Sequence, residues 1–226
     1  LEATSKSNVA PPRTPPKTSP KVPDFVFVAE TLLPTSKGLF RLRAYRASNI
    51  PSPPSKDEHQ FFMVEGGNEP IAMIVGDVKG LSRIPIRVHD QCLTSEVFGS
   101  LKCDCKQQLD YSLKFMQENS PGMVIYLPQE GRGIGLANKV AAYAEQEKGH
   151  DTVDANRVLG LPDDARVYNA VKDILNDLEV KSILLMSNNP RKIQALEALG
   201  IKVDGRLPCI VAGPAAQARN YLATKV

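Results

Sequence analysis

Three of the chain's four cysteines, Cys92, Cys103 and Cys105, fall within fourteen residues, where the apolar pattern changes from strand-like to helical. A strand must therefore end, and a helix begin, around one group of thiols. A secreted disulfide framework spreads its cysteines through a shorter, loop-rich chain. The spacing C-x10-C-x-C instead suits a metal in a reducing compartment. Zinc favours thiolate ligands, and three protein ligands leave its fourth position open to water. An open zinc makes hydroxide available near neutral pH. Two plainer readings fit the same spacing. The thiols could be structural and buried, or a fourth ligand could close the site, and His89 stands three residues ahead of Cys92. Cys209, in RLPCIVAG, reads as a core thiol at a strand end.

Upstream of the cluster, DFVFVAE, LFRLRAY, QFFMVEG and IAMIVGD are short apolar runs with partial alternation. Turn-forming stretches such as PTSKG and SNIPSPPSKDE separate them, which predicts a mostly antiparallel region. IPIRVH (84–89) is a further strand running into the cysteines. Downstream, Leu109, Leu113 and Met116 recur at helical spacing, and GMVIYLP (122–128) reads as a buried strand. Leu136, Val140, Tyr143 and Ala144 share one face of a helix that should stop near Gly149. Val167, Ala170, Val171, Ile174, Leu175 and Leu178 mark the next helix. SILLMS (182–187) is a strand, a helix follows from Pro190 to Leu199, and IKVDGRLP is a short last strand. The expected fold is α+β with an α/β-like second half: a mixed sheet with flanking helices, one domain over 24–226. Residues 1–23 carry repeated prolines and no aromatic residue, so a disordered tail or linker is expected there.

A net charge of +3 is too small to argue for nucleic acid but suits an anionic small substrate. No apolar run reaches the roughly 18 residues of a spanning helix, so no membrane partner is expected. There is no signal-peptide pattern. The basic, Ser/Pro-rich start is compatible with the cytoplasm, or with the plastid stroma if it is the remnant of a transit peptide.

Two strand-to-helix turns carry further polar groups. In PQEGRGIGLANK (128–139) the glycines let backbone N–H groups approach a ligand, and a helix N-terminus favours an anion. Arg132 could pair bidentately with a phosphate, although a tight turn alone explains the glycines. SNNPRK (187–192) offers the Ser187 hydroxyl and places Arg191 and Lys192 in a first helical turn, where the dipole disfavours cations. An anion would offset that cost, as would solvent. DDAR (163–166) precedes a helix that Asp163 or Asp164 could cap. Tyr143 is either a core residue or a platform for a base.

Six blocks in order, RVHDQCLTSEVFGSLKCDC (87–105), QEGRGIGLANK (129–139), DTVDAN (151–156), LGLPDDAR (159–166), SNNPRK (187–192) and YLATK (221–225), resemble GTP cyclohydrolase II over roughly 32–225. That resemblance implies zinc-dependent opening of the guanine imidazole ring of GTP in riboflavin biosynthesis. C8 leaves as formate and pyrophosphate is released, giving 2,5-diamino-6-ribosylamino-4(3H)-pyrimidinone 5′-phosphate. It implies one Zn²⁺ on Cys92, Cys103 and Cys105, and Mg²⁺ with the triphosphate. Nucleotide contacts fall on Arg87, Val88, His89, Asp90, Gln91, Gln108, Glu130, Gly131, Arg132, Thr152, Ser187 and Lys192. Glu130 could read the guanine N1–H and N2 amino group. Asp164 falls on the proton acceptor, Arg166 on the proposed nucleophile, and Tyr143 on a base-site tyrosine implicated in catalysis. A guanidinium stays protonated to above about pH 12, so charge stabilisation is an equally sound role for Arg166. The resemblance also implies a homodimer and an upstream dihydroxybutanone phosphate synthase domain in fused relatives. Where the family pattern is usually His-Ser-Glu-Cys, this chain has His89-Asp90-Gln91-Cys92; Ser187 stands where threonine is common. The loss of a carboxylate at Gln91 leaves two alternatives open: a divergent paralogue acting on another nucleotide or base, or an inactive zinc- and nucleotide-binding subunit.

Overall fold

The protein is described here from a computed structural model covering residues 24–49 and 69–211. In chain order the strands are β1 (Phe25–Thr35), β2 (Gly38–Ala47), β3 (Ile71–Val75), β4 (Ile84–Asp90), β5 (Gly122–Leu127), β6 (Ile183–Met186) and β7 (Val203–Leu207). The helices are α1 (Leu93–Glu96), α2 (Cys105–Glu118), α3 (Leu136–Glu147), α4 (Thr152–Val158), α5 (Asn169–Asp177) and α6 (Pro190–Ala198).

One seven-stranded sheet has the order β1-β2-β3-β5-β4-β6-β7. Pairing is antiparallel from β1 to β5 and parallel from β5 through β4 and β6 to β7. The mixed sheet and the α/β-like second half are as the sequence predicts. IPIRVH does not extend the antiparallel region; as β4 it crosses into the parallel half, between β5 and β6. QFFMVEG, YLATK and residues 1–23 lie outside the described residues.

Parallel strands covered on both faces read as continuous apolar runs, and in β5 Met123, Val124 and Ile125 are all fully buried. Pleating sorts them. Met123, Ile125 and Leu127 join Ile84, Ile86 and Val88 of β4 against Val171, Ile174 and Leu175 of α5 and Leu196 of α6. Val124 and Met186 face the other way, onto Met116 of α2 and Cys209. Cys209 is therefore the core thiol that its setting suggests. Asn189 and Asp151 cap α6 and α4 through their side chains. DDAR caps nothing: α5 begins after Tyr168 without a side-chain cap, and Asp164 binds Arg166 instead. Among the described residues no helix is long and apolar enough to cross a membrane.

Helix α3 departs from the pattern. Leu136 and Val140 are exposed, and its buried residues are Lys139 and Ala142. The apolar stripe faces outward because the inward face meets polar groups rather than the core.

The chain leaves β4 towards β5 on one side and leaves β6 towards β7 on the other. In sheets of this kind, ligands bind outside the carboxyl ends of the strands where the connections diverge. Here that point lies between β4 and β6, at the segments beginning with Asp90 and Ser187.

Candidate active site

Cys92 follows β4 and opens α1, while Cys105 is the first residue of α2. The three sulfurs lie within 4.8 Å of one another, and Cys92 Sγ is 3.6 Å from Cys103 Sγ. A disulfide needs about 2.05 Å. Tetrahedral zinc with bonds of about 2.3 Å separates its sulfurs by about 3.8 Å, so the donor set fits that metal. Among the described residues no other histidine or carboxylate joins the group. His89 does not close the site, because neither of its ring nitrogens lies with the three sulfurs; its Nε2 pairs with Glu96 Oε1 at 2.9 Å. Burial pushes the His89 pKa down against the pull of Glu96. Cys92 is held far below the usual thiol range, first by hydrogen bonds from Cys103 and Cys105 and further by the Lys139 ammonium.

The Gly-rich motif forms a 3-10 turn over Glu130–Gly133, with Gly131 and Arg132 at φ of 62° and 60°. Left-handed backbone at a non-glycine such as Arg132 is a strained feature typical of functional loops. Glu130, only 8% exposed, accepts from Leu93 N–H at 2.6 Å through Oε2. Its Oε1 accepts from Gly131 N–H at 3.0 Å and Lys139 Nζ at 2.7 Å. Oε1 is therefore saturated, and Oε2 has room for one more donor, so a two-point grip on a guanine edge does not fit this arrangement. The turn is docked onto DDAR: Ala165 N–H donates to Arg132 O at 2.9 Å. A Cβ at Gly133 would sit 2.8 Å from the Ala165 carbonyl carbon.

A second cluster surrounds Asp90. Its Oδ2 accepts from Arg166 Nη1 and Lys192 Nζ, both at 2.8 Å. Lys192 also donates to Val88 O at 2.9 Å. Arg166 meets Asp164 through Nε at 2.9 Å and Nη2 at 2.5 Å. Burial pulls Lys192 down to about 8, although Asp90 resists. Burial likewise works against the Arg166 charge, but Asp164 and Asp90 overcome it and raise its pKa. That guanidinium has three carboxylate contacts and no tendency to lose a proton.

The remaining site residues are placed as follows. Arg87 donates to Gln108 Oε1 at 2.7 Å and to Met186 O at 3.1 Å. The Ser187 hydroxyl is buried and accepts from Asn189 N–H at 3.1 Å. Gln91 N–H continues the strand by donating to Leu127 O. Tyr143 is half-buried, with Lys102 Nζ 4.1 Å from its ring centroid. The Val88 side chain packs in the core, leaving only its carbonyl for the site. Thr152 opens α4. Among the described residues, the buried side-chain polar atoms without a hydrogen-bond partner are Arg87 Nε, His89 Nδ1, Asp90 Oδ1 and Asp104 Oδ1. Buried polar atoms are normally satisfied, and these all fall on the segment that carries the site.

Two groups at the centre were not apparent from the sequence. Glu96 accepts from His89, from Cys92 N–H at 2.8 Å and from the Tyr126 hydroxyl at 2.7 Å. Lys139 contacts Glu130, Thr94 and Cys92. For Lys139 the sequence does hold a signal: a lysine early in a helix opposes the dipole.

Comparison with known proteins places this arrangement among relatives. The family described as GTP cyclohydrolase II matches residues 26–208. A GTP cyclohydrolase-2 of Picrophilus torridus is 42% identical over 181 residues, 80% of this chain and 94% of that protein. One from Acinetobacter baumannii is 43% identical over 199 residues, covering 88% and 92%. The riboflavin biosynthesis protein RibBA of Aquifex aeolicus is 44% identical over 182 residues, which are 80% of this chain but 41% of that longer protein.

Proposed function

The chain belongs to the GTP cyclohydrolase II family, and from that premise we propose that it is a zinc enzyme that opens the imidazole ring of GTP. Formate and pyrophosphate leave, and 2,5-diamino-6-ribosylamino-4(3H)-pyrimidinone 5′-phosphate remains. The observation that carries this reading is the three-sulfur group within 4.8 Å, set beside the Gly-rich turn. Zinc on Cys92, Cys103 and Cys105, when bound, supplies a nucleophilic hydroxide at neutral pH.

The chain's own residues do the rest. Tyr143 offers a face to the base. Glu130 takes one N–H of the guanine through Oε2, while Oε1 stays committed to Lys139 and Gly131. Lys192, Arg166 and Arg132 meet the phosphates together with Mg²⁺, and Ser187 adds a hydroxyl. Arg166 acts by charge, because Asp90 and Asp164 hold it protonated. It stabilises developing charge at the phosphate, and Asp164 is the nearby base that accepts a proton from water. The working assembly is a homodimer, and in a longer protein a dihydroxybutanone phosphate synthase domain precedes this one.

The test is to incubate metal-replete protein with GTP and measure formate, pyrophosphate and the pyrimidine. Stoichiometric release of all three is expected. Zinc binding without formate sinks the reading, and formate without pyrophosphate turns it into that of a divergent paralogue.

A further inference from the structure

Lys139 lies in the first turns of α3, where a cation is disfavoured, and is only 8% exposed. Burying an ammonium is costly unless it is paired and hydrogen-bonded, so its partners show what offsets the cost. Its three N–H groups have three acceptors: Glu130 Oε1 at 2.7 Å, Thr94 Oγ1 at 3.0 Å and Cys92 Sγ at 3.3 Å. Two of these stand on the segment after β4 and one on the Gly-rich turn. Glu130 returns to the first segment by accepting from Leu93 N–H, the residue after Cys92. A closed circuit results, running Cys92, Lys139, Glu130, Leu93. Charge makes the same case. Three thiolates and Zn²⁺ leave the centre at one negative charge, and Glu130 adds a second. Lys139 brings the positive charge inside the circuit.

We propose that Lys139 is a positioning residue that ties the metal ligand Cys92 to the carboxylate of Glu130, so that the metal centre and the Gly-rich turn are held as one unit. The inference rests on the zinc reading of the cysteines. Outer partners that orient metal ligands cost about 10–100-fold in metal affinity or activity when removed.

The experiment compares wild type, Lys139→Met and Lys139→Arg. Zinc affinity is measured by competition with a chromophoric chelator. Cobalt(II)-substituted protein is followed in the thiolate-to-metal charge-transfer band, and kcat and KM for formate release are determined. In Lys139→Met, zinc affinity should fall about 10–100-fold, the cobalt band should shift, and KM for GTP should rise as Glu130 loses its partner. Lys139→Arg keeps the charge and donors and should recover part of the affinity. Lys139→Gln replaces the methionine variant if that protein does not fold, with a loss of affinity again expected. Zinc affinity within about threefold of wild type, with an unchanged cobalt band, would overturn the proposal. Wild type that binds zinc but yields no formate would defeat the activity reading alone, since affinity and cobalt spectrum still decide the role of Lys139.

Discussion

Asp90→Asn offers the most direct test of how the site holds its cations. Asp90 Oδ2 is 2.8 Å from both Arg166 Nη1 and Lys192 Nζ, and all three side chains are at most 15% exposed. At an effective dielectric of about 20, each contact is worth roughly 6 kcal/mol before desolvation. Removing one partner of a buried pair typically costs about 3–5 kcal/mol. Asparagine keeps an acceptor oxygen and Arg166 keeps Asp164, so the lower end applies, about 3 kcal/mol. For a domain of this size that is a fall in Tm of about 6–12 °C. The same substitution removes the carboxylate with which a phosphate must compete. Inorganic tripolyphosphate should therefore raise the Tm of the variant by more than it raises that of wild type. Differential scanning fluorimetry with and without tripolyphosphate measures both effects. A variant melting within about 2 °C of wild type, where about 3 kcal/mol predicts more, would refute the energetic argument. An equal or smaller gain from tripolyphosphate would refute the competition.

Lys192 sets a pH limit. With its folded pKa near 8, binding of an anion needs the protonated form, so affinity is full below pH 8. Titration curves for tripolyphosphate should show it about tenfold weaker at pH 9, and Lys192→Met should abolish that slope. The sign for stability runs the other way. The unfolded lysine keeps its proton to a higher pH than the folded one, so this residue opposes folding in full below pH 8, progressively less as pH rises from 8 to about 10.5, and not at all above that. Gly133→Ala forces a Cβ into the Ala165 backbone at a φ of +86°; a misplacement of about 1 Å can cost 100-fold. Steady-state assays should therefore find kcat/KM for GTP reduced about 100-fold with zinc content unchanged. Cys103→Ser should lose zinc and formate release together, by metal analysis and product assay, whereas Cys209→Ala should keep its zinc.

The fold was legible where burial alone decides. The runs that became β5 and β6 are apolar on both faces, and the spacing in α5 follows its buried stripe. It was less legible where the site overrides burial. Leu136 and Val140 form a regular stripe, yet they face solvent because Lys139 must face Glu130 and Cys92. Spacing could gather the cysteines but could not choose a fourth ligand. His89 stood close in sequence, and only the three-dimensional arrangement gives its Nε2 to Glu96. Neither Glu96 nor the anchoring of Glu130 by Leu93 N–H follows a period or motif. They are contacts between segments, seen only once the chain is folded.

Strand β4 explains how one segment serves two chemistries. Successive side chains of a strand point to opposite faces. Ile84, Ile86 and Val88 fill the core beneath α5 and α6, and Asp90 continues their side towards Lys192 and Arg166. Arg87 and His89 alternate with them, turning to Gln108 of α2 and Glu96 of α1. The proposed reaction requires this division, because the ring that opens and the phosphates that leave are at opposite ends of one substrate. A register slip of one residue would exchange the two sets, burying cation-binding Asp90 against the metal side and His89 against Lys192. The apolar residues of β4 therefore do more than fill the core. By fixing which face Val88 takes, they fix that Asp90 meets the cations while the chain running on to Cys92 is held by Glu96.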